Sequence, residues 1–151
     1  MLPASPGLVS ALVLAAVLAA LVGALVWRNR PRAGATALSV DLFAVAVWAG
    51  GQAMVFVTTP VRPALTWQTV ALAGTAVTPV AWLAFSLQDT GHDEVLTQSR
   101  LAVLSAVTVA FVALAVVAPT PLVYVDPAAT GAGRLTFAWG PAMIGYSLLG
   151  Y

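Results

Sequence analysis

Residues 7–27 read GLVSALVLAAVLAALVGALVW, an apolar run of 21 residues without a charge. An α-helix rises about 1.5 Å per residue, so the run would be about 31 Å long and match the hydrocarbon core of a bilayer. The rival interpretation is a secretory signal peptide, which needs a basic segment before a shorter apolar core. Residues 1–6 contain no basic side chain, and the arginines follow the run instead. The pattern therefore predicts a membrane-spanning helix.

The composition of the whole chain also indicates a lipid environment. Hydrophobic residues make up 61% of the 151 residues and charged residues only 7%, whereas a soluble domain has roughly 25% charged residues. The net charge of +1 gives no basis for binding nucleic acid. Because the chain has no cysteine, it cannot form disulfides, thiolate metal sites or cysteine nucleophiles.

Four further apolar runs follow, separated by stretches with proline, glycine or polar residues. We therefore predict an all-α membrane protein, with a single domain over residues 1–151 and a bundle of five transmembrane helices. The helices are expected at about 7–27, 37–57, 65–87, 101–118 and 135–151. Residues 88–94 form the most polar stretch, and residues 119–134 are predicted to form a loop. No soluble domain or linker is evident.

The arginines predict the orientation, because cytoplasmic loops of membrane proteins carry an excess of Lys and Arg. Alternating spans place four arginines on one side and two on the other. The larger group is Arg28, Arg30, Arg32 and Arg100, and the smaller group is Arg62 and Arg134. The expected protein is a multi-pass protein of the cell membrane with its N-terminus outside.

Asp41 is the one acid inside a predicted span, about one turn into the second helix. A carboxylate within the membrane is costly, so it is by default a candidate functional residue, here for ligand binding. The alternative is that Asp41 lies at interface depth and faces Arg28 or Arg32, and this alternative is slightly favoured.

Gln52, in the same predicted helix, is the second candidate for ligand contact. The favoured alternative is a hydrogen bond to another helix that helps the two to pack. Small residues surround it and suit a close contact between helices; they are Ala46, Ala49, Gly50 and Ala53.

Two prolines lie within predicted helices. Pro79 in helix three removes a backbone donor and crowds the carbonyl of Thr75, so we expect a kink there. The hydroxyls of Thr75 and Thr78 are close enough in sequence to satisfy freed backbone groups. Pro141 in helix five predicts a kink in the same way.

His92 is the only histidine, and Asp93 and Glu94 follow it. Such a pair also occurs at the phosphoacceptor of sensor kinases, but here it lies in a short loop between spans, so a solvated loop histidine is favoured. One histidine and scattered acids make no metal site, and there is no phosphate-binding glycine loop or nucleophile elbow. We therefore predict no catalytic residue, no metal, no cofactor and no enzyme activity for this chain.

Three short motifs carry a resemblance to a known family. Residues 78–87 read TPVAWLAFSL and precede Asp89-Thr90-Gly91, residues 96–100 lead directly into helix four, and residues 140–147 read GPAMIGYS. From helix two onward, the chain resembles the N-terminal seven-helix membrane region of prokaryotic sensor histidine kinases of the haloarchaeal type. The resemblance covers most of the chain.

The chain departs from this family at three points. The family has a tyrosine in the turn where Gln88 and Asp89 stand, and often an acid near the position of Gln52. Only five of seven helices are predicted, so a truncation after helix five is expected, with two more spans and a transmitter domain encoded downstream.

The resemblance implies a membrane-embedded sensor that feeds a cytoplasmic transmitter, with the lipid bilayer and a homodimer as further expected partners. The alternative function is a small transporter or channel-like subunit that uses Asp41 and Gln52 along a polar path. A membrane enzyme is the third possibility, and the sequence offers it no acid/base pair or metal set.

Overall fold

The computed structural model describes residues 6–129 and 135–150, and the described chain is mostly helical. Four of its helices are long and apolar enough to cross a membrane, judged by length and composition. The elements are α1 (Pro6–Arg28), α2 (Ala35–Val57), α3 (Val61–Asp89), a 3-10 turn (Asp93–Val95), α4 (Gln98–Val117), β1 (Tyr124–Ala129), β2 (Leu135–Trp139) and α5 (Pro141–Gly150). The first four predicted helices are thus present, and their ends differ from the prediction by at most four residues.

Local sequence explains where α3 ends and α4 begins. Gly91 follows the end of α3 with φ +75°, the left-handed conformation that glycine adopts without a steric penalty. His92 N donates to the Leu87 carbonyl at 2.8 Å, which closes this end of α3. The Thr97 hydroxyl then caps α4 by accepting from Arg100 N.

The long helices pack in chain order, α1 on α2, α2 on α3 and α3 on α4. Neighbours run antiparallel: Gly23 of α1 lies against Leu42, whereas Ala16, earlier in α1, lies near Gly50, later in α2. One end of the bundle, the arginine end, therefore holds residues 29–34 and 90–97. The other, the hairpin end, holds residues 58–60 and the two strands.

The contact between α2 and α3 is close enough to bring backbone against backbone. A methyl group at Gly51 would lie 2.8 Å from Ala71 N, and one at Gly74 would lie 2.5 Å from the Ala44 carbonyl oxygen. Small residues permit this approach in a membrane, where dispersion rather than the hydrophobic effect holds helices together. This seam holds the polar side chains that α2 and α3 turn toward each other, among them Asp41, Gln52 and Gln68.

The fifth predicted span, residues 135–151, is wrong. Leu135–Trp139 form β2, which pairs antiparallel with β1 in a hairpin. β1 lies in the stretch that was predicted to be a loop, and its register shifts between Val125 and Ala128, where Asp126 has φ +48°. The β2 sequence LTFAW contains threonine and aromatic residues that suit a half-buried strand, and hydropathy alone does not separate such a run from a helix.

Pro141 opens α5 instead of kinking a longer helix, so the predicted kink there is also wrong. Proline is favoured at the first helical position because its missing N–H has no partner there in any case. It also disfavours helical geometry at Gly140, and this is why β2 and α5 stay separate elements. The ten residues of α5 extend only about 15 Å, half of a hydrocarbon core.

Candidate functional site

Asp41 lies on the face of α2 that packs against α3, with 7% of its surface exposed. It comes six residues after the start of α2, about 9 Å along the helix. The Thr78 side chain on α3 lies beside its carboxyl group, and its Oδ1 has no hydrogen-bond partner. Arg28 and Arg32 are exposed. The structure therefore places the Asp41 carboxyl between helices and beside Thr78.

Gln52 contacts a residue that the sequence reasoning missed. Its Nε2 donates to Gln68 Oε1 across the α2–α3 seam at 3.4 Å, and Gln68 is only 8% exposed. A glutamine inside an apolar span is itself a signal for a hydrogen bond between helices, which stabilises by about 1 kcal/mol or less. In this geometry the Gln52 side chain joins two helices.

The structure does not bring the two candidate residues together. Asp41 and Gln52 are eleven residues apart on α2, about 16 Å along its axis. Between them the seam is closed by the approach of Gly74 to Ala44 and Trp48. Asp41 and Gln52 are therefore two separate polar contacts of one helix pair.

Pro79 lies inside α3, as predicted, and a tyrosine of α5 binds the turn before it. The Tyr146 hydroxyl donates to the Ala76 carbonyl oxygen at 2.7 Å and lies 3.3 Å from Thr108 Oγ1 on α4. Pro79 removes the backbone donor of the Thr75 carbonyl, and Tyr146 binds the next carbonyl along the same turn. Tyr146 thus joins α5, α3 and α4 at the proline.

The two threonines before Pro79 have other partners than the sequence predicts. The Thr75 hydroxyl donates to the Ala71 carbonyl oxygen at 3.2 Å, and the Thr78 hydroxyl to that of Gly74 at 3.5 Å. Both bonds run back along α3 by four residues, so neither reaches the Thr75 carbonyl that the proline deprives of its donor.

An aromatic cluster connects Tyr146 to the hairpin. The Tyr146 ring stacks on Phe111 with centroids 4.1 Å apart, and the Tyr124 ring meets Phe137 edge to face at 4.9 Å. Tyr124 is fully buried, and burial raises the pKa of its hydroxyl group, which lies 3.4 Å from Thr69 Oγ1. The buried core of this cluster consists of Leu72, Ala76, Phe111, Ala115, Val123 and Tyr124.

Open cavities lie between the described elements, one of them beside the hairpin and one nearer the arginine end. The hairpin cavity, of about 580 Å³, lies between α3, α4 and the hairpin and is lined in part by Arg62, Thr69 and Pro127. The inner cavity, of about 330 Å³, lies between α2, α3 and α4 and reaches Thr108 and Gln88. Both volumes are in the range of small-molecule sites.

The family model of the N-terminal 7TM region of histidine kinase matches residues 11–151. The chain belongs to this family. No curated protein and no solved structure matches the chain. The described spans are thus part of a multi-pass membrane region of a histidine kinase, and a 7TM sensor region is the non-catalytic input of such a kinase.

His92 of this 7TM region lies exposed in the turn at the arginine end. Its Nδ1 is 3.2 Å from Thr90 Oγ1, and Asp93 and Glu94 beside it are exposed as well. Within residues 6–129 and 135–150, no group of three His, Cys, Asp or Glu residues could hold a metal ion. His92 has the surroundings of a solvated loop residue.

Tyr146 is the residue of the 7TM region whose role the sequence reasoning missed. The tyrosine belongs to the GPAMIGYS motif that carries the resemblance, but its partner lies 70 residues earlier in the chain. A tyrosine hydroxyl in an apolar environment needs a partner, and a proline inside a span marks a turn where a neighbouring element can supply a donor. These two signals together could have suggested the contact.

Proposed function

We propose that the described helices form the sensory input module of a signal-transducing histidine kinase and that the chain carries no kinase activity itself. The observation that carries the proposal is the family match over residues 11–151. The four candidate spans support it, because a sensor of this kind passes a change across the membrane through packed helices. Its partners are the lipid bilayer, a cytoplasmic transmitter domain and a second copy of the chain.

The proposed orientation places the N-terminus and the hairpin outside the cell. All four arginines of the larger group lie at the arginine end, since α1 ends at Arg28 and α4 begins just before Arg100. On the hairpin end, the described chain has Arg62. The positive-inside rule then makes the arginine end cytoplasmic.

The packing supports a relay from the hairpin to α3. Tyr124 of the hairpin reaches Thr69, and the same core cluster extends to Ala76, whose carbonyl binds Tyr146 beside Pro79. A signal that favours one arrangement of the hairpin would shift the population of α3 arrangements at the proline. The relay is proposed from spatial contact, and it requires coupling measurements to test it.

Tyr146→Phe tests the proposal because it removes one hydroxyl and keeps the ring stacked on Phe111. Losing a hydrogen bond of about 1 kcal/mol should change basal autophosphorylation of the kinase that carries this region by about fivefold. The matched control is Ser147→Ala, since the Ser147 hydroxyl bonds only within α5, to the Met143 carbonyl. Wild-type autophosphorylation by a folded Tyr146→Phe protein, measured in membrane vesicles, would refute the relay.

A small transporter or channel-like subunit is the second candidate function. The observation that favours it is the unpartnered Oδ1 of Asp41 inside a span, a feature of ion and proton pathways. The closed seam at Gly74 argues against it, because it leaves no polar path from Asp41 to Gln52 through the described residues. Proton or ion flux in proteoliposomes that Asp41→Asn abolishes would decide for the transporter.

A further inference from the structure

The hairpin cavity lies where three segments of the chain meet. Its walls come from the first turns of α3, from the end of α4 at Ala115 and Val116, and from Pro127 of β1. At about 580 Å³ the cavity has the size of a site for a small organic molecule. An occupant would touch both helices and the hairpin at once.

Among the described residues that line the cavity, Arg62 has the only ionisable side chain. Its guanidinium group makes no hydrogen bond or ion pair within the described part of the chain, where only the Arg62 backbone carbonyl is engaged. A guanidinium group binds a carboxylate through two parallel hydrogen bonds. The charge of the cavity is therefore complementary to one negative charge on the occupant.

The rest of the lining has few free hydrogen-bonding groups. The Thr66 hydroxyl donates to the Arg62 carbonyl, and the Thr69 hydroxyl donates to the Leu65 carbonyl. Most of the remaining surface consists of aliphatic side chains, among them Leu65 and Val116. A ligand with many polar groups would leave them unpaired here, whereas a short hydrocarbon tail would fit.

We propose that the hairpin cavity binds a small organic monoanion, with its carboxylate on Arg62 and a short apolar tail between α3 and α4. The site also offers a route for detection, because Thr69 lines the cavity and contacts the buried Tyr124 hydroxyl. The idea that this binding acts as a signal rests on the proposed sensory function. The binding itself does not depend on that function.

Equilibrium dialysis of radiolabelled hexanoate against the protein in lipid nanodiscs tests the site directly. Empty nanodiscs of the same lipid serve as the blank for partitioning, and 1-hexanol serves as the uncharged analogue. Arg62→Gln should weaken hexanoate binding by about tenfold, the loss expected for a hydrogen bond to a charged group. Arg32→Gln is the matched control, because Arg32 is an exposed arginine at the opposite end.

Val116→Trp is a second variant that keeps Arg62 and places a bulky group at the cavity mouth. Val116 is 65% exposed, so this change should block hexanoate without unfolding the helix pair, as thermal unfolding can verify. The proposal fails if hexanoate shows no binding above the blank at millimolar concentration, if hexanol binds equally well, or if Arg62→Gln leaves binding unchanged. None of these outcomes would contradict the proposed sensory function, because the autophosphorylation assay tests that function separately.

Discussion

Replacing Gly74 by alanine should force α2 and α3 apart. The added methyl group would lie 2.5 Å from the Ala44 carbonyl oxygen and 2.7 Å from Trp48 N. Both are backbone atoms, so neither can rotate away, and an ordinary 3.4 Å contact requires the helices to separate by about 0.9 Å. A gap of that size loses a quarter to a half of the dispersion energy of the atoms facing it.

The expected loss of stability is about 2 kcal/mol. Overpacking costs about 1–3 kcal/mol, the separation weakens the rest of the seam, and the higher helix propensity of alanine returns up to about 1 kcal/mol. Gly50→Ala on α2 is the matched control, because its methyl group would meet only Ala16 Cβ of α1, at 3.9 Å. Gly50→Ala should be neutral or slightly stabilising.

Unfolding by SDS in mixed micelles, followed by tryptophan fluorescence, measures both variants. Trp48 lies directly beside Gly74, so the signal also reports on the seam itself. If Gly74→Ala unfolds at the same SDS fraction as the wild type, or later than Gly50→Ala, the close backbone contact between α2 and α3 is wrong.

Three further predictions follow from single features of the fold. Thr59 and Thr90 are both exposed and lie at opposite ends of the bundle. Cysteines introduced at these positions should react with an impermeant thiol reagent from opposite sides of the membrane, and Thr59→Cys should react from outside. Labelling of Thr59→Cys only from the cytoplasm would show that the proposed orientation is reversed. Asp41→Asn should raise stability against SDS by about 1 kcal/mol, because an uncharged amide costs less to bury than a carboxyl group whose Oδ1 has no partner. A loss of that size would instead indicate a partner that needs the carboxyl group. Burial raises the pKa of Tyr124 above its ordinary value of 10.0. The stability that this shift contributes is therefore complete below pH 10 and is lost as the pH rises through the folded-state pKa. Tyr124→Phe should remove this part of the loss of stability at alkaline pH, and a pH profile equal to that of the wild type would contradict the prediction.

The sequence alone predicted the class of the protein and the first four spans. The apolar runs are long and nearly free of charge, and in lipid a spanning segment must satisfy all of its backbone groups internally, so a helix is the only local solution for such a run. For the same reason the helix ends were predictable to within a few residues from Arg28, Gly91 and the prolines. Hydropathy failed at residues 135–139, because a short run with Thr136, Phe137 and Trp139 suits a strand as well as a helix.

The partners of the polar side chains could not be read from the sequence. Asp41, Gln52 and Pro79 were identifiable as unusual within a span, but whether each faces lipid or a neighbouring helix depends on how α2 and α3 dock. The tertiary structure decided that Asp41 meets Thr78, that Gln52 meets Gln68, and that an α5 hydroxyl binds the turn before Pro79. The hydropathy of a segment determines whether that segment enters the membrane, because its free energy of transfer into lipid depends on its own residues. Contacts between segments far apart in the chain depend on the close packing of whole helices, and that packing exists only once the bundle has assembled.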